Sequence, residues 1–446
     1  MTPNRAALMP RAYRLLPLLG LVVACSADSK TGGTTSLDDD LAPLLQAANV
    51  APLPALNMPS PEMFALGQAL MFDKELSGNR DMSCATCHHP LESTTDHRTL
   101  SLGQGAAGRG PTRGGGGVDI PRHAPDVFNR GYPAWGTMFW DARVGGSVQQ
   151  GFTTPAGAQT PLGLSSVLAT QALFPITSRA EMRGAAGQNE LADVADSNFT
   201  GIWDGIMTRL RAIPKYDTLF TAAYGLSVNS ATIAHAANAI AAFEIKAWTR
   251  VNTPFDDYLA GNKDALTDQE KRGAILFYGT ANCSKCHGGP LFTDQKFHNI
   301  AIPQFGPGTN GPGVDHGREN VTGTPSERYA FRTPPLRNVT LTAPYMHNGA
   351  YATLRAAVKH YVNVQQALAG YDVTQLPASL QATVRGTPQD VTDILATLDQ
   401  FVATPLTIND ADVDDIVAFL GTLTDPAAAD LSNEVPASVP SGLPID

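Results

Sequence analysis

The chain has 446 residues, 43% hydrophobic and 16% charged, with 31 Lys+Arg against 41 Asp+Glu and a net charge of −10. That length supports two domains. The acid excess argues against a nucleic-acid partner, which needs basic surface, and permits a basic protein partner such as a small soluble cytochrome.

In chain order, Arg5, Arg11 and Arg14 precede a short apolar run, Leu15–Ala24, too short to span a bilayer. Residues 1–24 read as a signal peptide. "VVAC" then resembles the lipobox of a bacterial lipoprotein, with Cys25 as the lipidated residue. Ordinary cleavage nearby is the alternative, because Val22 stands where leucine is usual. Removing the leader takes away three arginines and no acids, so the mature chain is more acidic still. The expected location is periplasmic, on an outer-membrane lipid anchor, since Ser26 and not aspartate follows Cys25. Residues 25–48 read as the tether. No later segment is long and apolar enough to cross a membrane.

Two segments then repeat one plan. "LGQALMFDKELSGNRDMSCATCH" ends at His88 and "RGAILFYGTANCSKCH" ends at His287. Each reads as a helix, a short loop and Cys-x-x-Cys-His, with Gly67 matching Gly273. Cys-x-x-Cys-His is the attachment signature of a c-type haem. Cys84 and Cys87, and again Cys283 and Cys286, would bond to a porphyrin, with His88 and His287 as iron ligands. A zinc half-site or a thioredoxin-like pair is the alternative. Zinc needs both halves to converge on one ion, and a thioredoxin pair needs no following histidine.

Further helices carry start signals. Thr267 with Glu270 forms a capping box before the second haem helix. Ser230 is placed to cap "ATIAHAANAIAAFEIKAW", and Asn409 to cap "DADVDDIVAFLGTL". In the latter, Val413, Ile416, Val417 and Leu420 share one face. Glycine and proline concentrate in long connections such as 103–120 and 306–317. The expectation is a mostly α fold of two cytochrome c-like haem domains with long loops and few strands. The first domain would cover 49–250 and the second 251–425, with 426–446 as a flexible tail.

"RHAPDVFN", "FWDAR", "FPITSRAEM", "FRTPPLRNVTLTAPYMHNGAYATL" and "DIVAFLGTLT" follow in order around the two motifs. Over residues 58–425 the chain resembles the bacterial dihaem cytochrome c peroxidase/MauG family. The resemblance implies an N-terminal peroxidatic haem, a C-terminal electron-transfer haem, and a tryptophan between them, here Trp140. It places the distal acid on Glu181, which would move a proton between peroxide oxygens. In the peroxidase branch a histidine sixteen residues after the first haem histidine blocks the iron. Here that position is Gln104, counted with Glu181 and Trp140 as catalytic, and His97 is the nearby rival. Methionine is usual on the second iron. The matching position here is Tyr361, as in MauG-like proteins, with Met346 as the alternative. Tyrosine favours ferric and higher states. A calcium ion on the carbonyls of Thr342 and Pro344 is also implied, weakened because His123 replaces the usual asparagine.

These residues imply a peroxidase that reduces hydrogen peroxide with electrons from a small soluble donor, a cytochrome c or cupredoxin. One alternative is a MauG-like enzyme that oxidises aromatic residues of a protein substrate. The other is a non-catalytic electron-transfer dihaem cytochrome, which Glu181 and the missing blocking histidine disfavour. A homodimer is a further expectation for the chain.

Overall fold

The computed structural model describes Met1 and residues 36–446. The expected signal peptide, Met1 apart, and Cys25 lie outside the described residues. Helix α1 (Leu37–Ala47) corrects the expected tether, which cannot extend past residue 36. Leu41 and Leu45, one turn apart, are buried, and Asp38 pairs with Lys271 at 3.0 Å. An apolar stripe of this kind gives a segment a surface to dock.

Helix α2 (Pro61–Phe72) starts where Ser60 accepts a hydrogen bond from the Met63 N–H at 3.2 Å, with proline at the first helical position. Helices α3 (Phe199–Arg211), α4 (Pro214–Tyr224) and α5 (Ile233–Trp248) complete the first half. Ser230 is not the cap of α5. Its N–H is spent in a turn on the Ser227 carbonyl at 2.9 Å. Thr232 caps instead, with His235 Nδ1 accepting the Thr232 N–H at 3.1 Å.

The second half holds α6 (Asp268–Tyr278), α7 (Leu354–His360) and α8 (Asp410–Gly421). Thr267 and Glu270 form the expected capping box on α6, and Asn409 caps α8. Of the expected face Val413, Ile416 and Leu420 are buried and Val417 is only half-buried, while Phe419 joins the buried set.

The matched glycines do the same work in both halves. A Cβ on Gly67 of α2 would lie 1.9 Å from the Ala239 carbonyl oxygen of α5. A Cβ on Gly273 of α6 would lie 1.9 Å from the Asp415 carbonyl oxygen of α8. Each haem helix thus crosses its partner at backbone contact, which only glycine permits.

Strands are short. β1 (Ala106–Ala107) pairs with β2 (Gly114–Gly115) inside the glycine-rich loop. β3 (Thr137–Met138), β4 (Val144–Ser147) and β5 (Gly151–Thr153) form an antiparallel sheet, with Met138 opposite Val144. β6 (Phe297–His298) pairs with β7 (Phe331–Arg332), Phe297 opposite Arg332.

One core gathers α2–α5 around Leu70, Phe72, Trp203, Phe243 and Trp248. Another gathers α1, α6 and α8 around Phe255, Phe277 and Phe419. The segment 426–446, expected as a flexible tail, returns to the first core. Leu431 and Val439 are buried there. Ser441 Oγ donates to Asp73 at 2.7 Å, and Lys74 pairs with Asp446 at 2.6 Å. Spaced apolar residues in a Pro/Ala/Ser stretch are enough to dock it once a core offers a groove.

Candidate functional site

The first motif forms one helical turn, Cys84–Cys87, with Ser83 and Thr86 closing a capping box. His88 caps its end, and its Nδ1 lies 3.0 Å from the Thr94 carbonyl oxygen. That bond makes Nδ1 the donor and leaves Nε2 free to ligate a metal. The second motif repeats the device. His287 Nδ1 lies 3.1 Å from the Phe292 carbonyl oxygen. Burial pushes the Cys84 and Cys283 thiols up to about 12, so both sit in apolar surroundings. Cys84, Cys87 and His88 open on a cavity of about 820 Å³. Cys283 and His287 line two further cavities of about 130 Å³ each. The residues present fit a covalently held haem at each motif.

Trp140 lines all three cavities. It sits in the turn between β3 and β4. Its indole N–H donates to the His123 carbonyl at 3.0 Å, and its own carbonyl accepts from the Arg332 N–H at 2.8 Å. The first half of the chain therefore holds its ring and the second half its backbone.

Glu181 faces the large cavity from a single π turn, Arg179–Arg183. Such turns recur at functional sites, because the extra residue re-aims a side chain. Ser178 holds the turn by accepting the Glu181 N–H at 3.4 Å. Burial pushes the Glu181 carboxyl up, and the Arg143 and Arg122 guanidiniums oppose the shift. Arg143 lies 4.0 Å from the carboxylate and 3.8 Å over the Phe139 ring. Arg122 is held by Asp141 at 2.6 Å and by Asp315 at 2.6 Å, across 193 residues of chain. The arrangement is an acid of raised pKa beside fixed cations in an enclosed cavity, which suits proton transfer.

Gln104 is not on the cavity wall. It is buried behind the Glu181 turn, donating its side-chain amide to the Met182 carbonyl, while its N–H donates to the Ala180 carbonyl at 3.3 Å. The catalytic assignment is corrected to a support for the turn that carries Glu181. A neutral amide committed to backbone does not reach the site. His97 is equally removed, with Nδ1 on the Ala343 carbonyl at 2.8 Å.

Tyr361, at the end of α7, and Met346 both line the two cavities around Cys283 and His287. Burial pushes the Tyr361 phenol up. An anionic form therefore requires a cation, such as a metal, beside it.

Thr342, Pro344 and His123 do line one cavity together. His123 Nδ1 bonds the Arg98 carbonyl at 2.7 Å, and burial lowers its pKa. A neutral imidazole offers nitrogen where calcium requires oxygen, so this donor set does not fit the ion.

The sequence reading missed Arg143, Arg122, Arg130, Arg332 and Glu244, which all line the large cavity. Arg143 and Arg122 lay within the quoted runs "FWDAR" and "RHAPDVFN", yet arginines in a run carry no partner information. Glu244 lies in the run "ATIAHAANAIAAFEIKAW", where no local pattern marks it. Burial pushes it up to about 8.

The family model for di-haem cytochrome c peroxidase matches residues 61–264. The chain is 32% identical over 345 residues to the methylamine utilization protein MauG of Methylorubrum extorquens, covering 76% of this chain and 80% of that one. It is 32% identical over 320 residues to the cytochrome c551 peroxidase of Pseudomonas aeruginosa, covering 71% and 77%. Among solved structures, a MauG-like protein associated with microbial copper homeostasis superposes with a TM-score of 0.59 at 28% identity, covering 87% of this chain and 96% of that one. The fold also matches a diheme peroxidase of Burkholderia thailandensis, with a TM-score of 0.57 at 24% identity over 85% of this chain and 91% of that one.

Proposed function

We propose, from the premise that this chain belongs to the di-haem cytochrome c peroxidase family, that it reduces hydrogen peroxide to water at its first haem motif. Two covalently bound haem c groups go with that membership, and when bound they supply the redox chemistry that cleaves the O–O bond. Cys84, Cys87 and His88 hold one, and Cys283, Cys286 and His287 hold the other. The observation that carries the reading is Glu181 on the wall of the cavity beside Cys84 and His88. Deprotonated Glu181 accepts the proton of one peroxide oxygen and returns it to the other, which departs as water. Arg143 and Arg122 oppose the rise that burial imposes on the Glu181 pKa. Overall, one peroxide, two electrons and two protons give two waters. Trp140, which lines the three cavities at the haem motifs, is the bridge for the electrons.

The donor is a small soluble one-electron carrier of cytochrome c or cupredoxin type. The place of action is the periplasm, on a lipid anchor at Cys25, a reading supported by the leader alone. The test supplies the haem-loaded protein with peroxide and a reduced small cytochrome. Two donor molecules should be oxidised per peroxide consumed. Peroxide consumption without donor oxidation would refute the peroxidase reading.

Tyr361 favours a second reading. Tyr361 would offer the second haem a phenolate oxygen, a donor that would hold its potential low, which suits oxidation of aromatic residues in a partner protein. Loss of that potential difference on Tyr361→Met is its test.

A further inference from the structure

On the walls of the haem cavities Arg332 carries a charge no carboxylate meets among the described residues, and Arg130 one that Asp126 meets only at 3.5 Å. Each is 5% exposed. Their guanidiniums lie 4.5 and 5.0 Å from the ring centre of Trp135, so one buried indole is flanked by two cations. Arg332 Nε donates to the Phe139 carbonyl at 3.1 Å. Its Nη1 has no hydrogen-bond partner, and no carboxylate pairs with it among the described residues. Arg130 Nη2 donates to the Asp126 carbonyl at 2.8 Å and lies 3.5 Å from the Asp126 carboxylate. Its Nη1 is also without a partner.

A buried cation that lacks a counter-charge is costly enough that an anion is expected beside it. Burial, with Arg130 adding to it, pulls the Arg332 guanidinium down to about 9. A guanidinium does not give up its proton in a protein, so the cost of burial is not relieved by neutralisation. Arg98, Arg183, Arg250 and Arg318 also have partnerless buried nitrogens, but none of them lines these three cavities. Arg332 lines all three, and Arg130 lines the large one and the second-motif cavity that contains Tyr345.

We propose that Arg130 and Arg332 together bind the carboxylate arms of both haems, one from each side, on a shared cationic bridge. The proposal rests on the two-haem reading above. A haem carries two propionate arms, and a guanidinium fork matches a carboxylate. The bridge would hold the haems in register across Trp140. Its charge favours the reduced state of both irons, because reduction removes positive charge beside it.

The test uses the haem-loaded full chain as wild type, Arg332→Met, Arg332→Lys and Arg130→Met. Arg272→Met, on an exposed arginine paired with Asp415 at 2.9 Å, is the control. Haem per chain is counted, and both midpoint potentials are titrated spectroscopically from about pH 5 to pH 9. Asp126, Asp141 and Glu244 also act on the pair, so each variant is compared with wild type at the same pH. Arg332→Met should lower both potentials and make them more pH-dependent, as the released carboxylate begins to titrate. Arg332→Lys should restore most of the change, and the control should show none. Unchanged potentials in a variant with two haems per chain overturn the proposal, as does movement at one haem alone. If Arg332→Met does not assemble, Arg130→Met decides by the same criteria. Fewer than two haems per chain in the wild type would refute the two-haem reading itself.

Discussion

Changing Glu181→Gln keeps the shape of the π turn and removes its proton carrier. General acid–base groups contribute ~10²–10⁴-fold, which corresponds to about 3–5 kcal/mol of barrier. The surroundings of Glu181 turn this into a pH prediction. Its pKa is raised by burial and held back by Arg143, 4.0 Å away, and by Arg122. A charge pair at that distance is worth about 1–4 kcal/mol between water and a protein surface, or roughly one to three pK units. Arg143 also pairs with Asp141 at 3.2 Å, so the net effect belongs at the low end. Glu181 works as a base in its ionised form, so activity falls as pH drops through its pKa. Arg143→Met removes a lowering charge, so the acid limb should move to higher pH by about one unit. The assay is the second-order rate constant for peroxide against pH, by stopped flow, in wild type, Glu181→Gln and Arg143→Met. Glu181→Gln should be slow at every pH and lack the acid limb. A near-normal rate in that variant, or an acid limb that stays put in Arg143→Met, would refute the reasoning.

Other expectations follow from the same geometry. Because Gln104 is committed to the Met182 carbonyl, the oxidised protein should show a high-spin haem and react with peroxide without prior reduction. An all-low-spin ferric spectrum contradicts this. Tyr361→Met should raise the potential of the second haem, whereas Met346→Leu should leave it unchanged. The reverse pattern in a redox titration would make Met346 the ligand. Gly67→Ala and Gly273→Ala push a methyl into a carbonyl oxygen at 1.9 Å. Each should cost about 3 kcal/mol or more, the upper end for overpacking, read as a lower denaturation midpoint, and a neutral result would mean the helices can separate cheaply.

Local chemistry was legible in the sequence. The two haem motifs, the Thr267–Glu270 box and the Asn409 cap each lie within a turn or so of chain, where covalent geometry fixes which atoms meet. The Gly67 and Gly273 match was visible as well, although its meaning came from the helix crossings. Glu181 and Trp140 were placed by resemblance, through the runs around them. Tertiary structure decided the rest. Arg122 meets Asp315 across 193 residues, and Arg332 meets Trp135 and Trp140 from the other half of the chain. The tail of 426–446 docks because Leu431 and Val439 join the buried core of the first half. Gln104 left the site because its amide found the Met182 backbone. Such pairings depend on how distant segments pack, and burial sets their electrostatics. A linear sequence therefore names the groups that carry charge, while the folded chain determines which charges face one another without water between them.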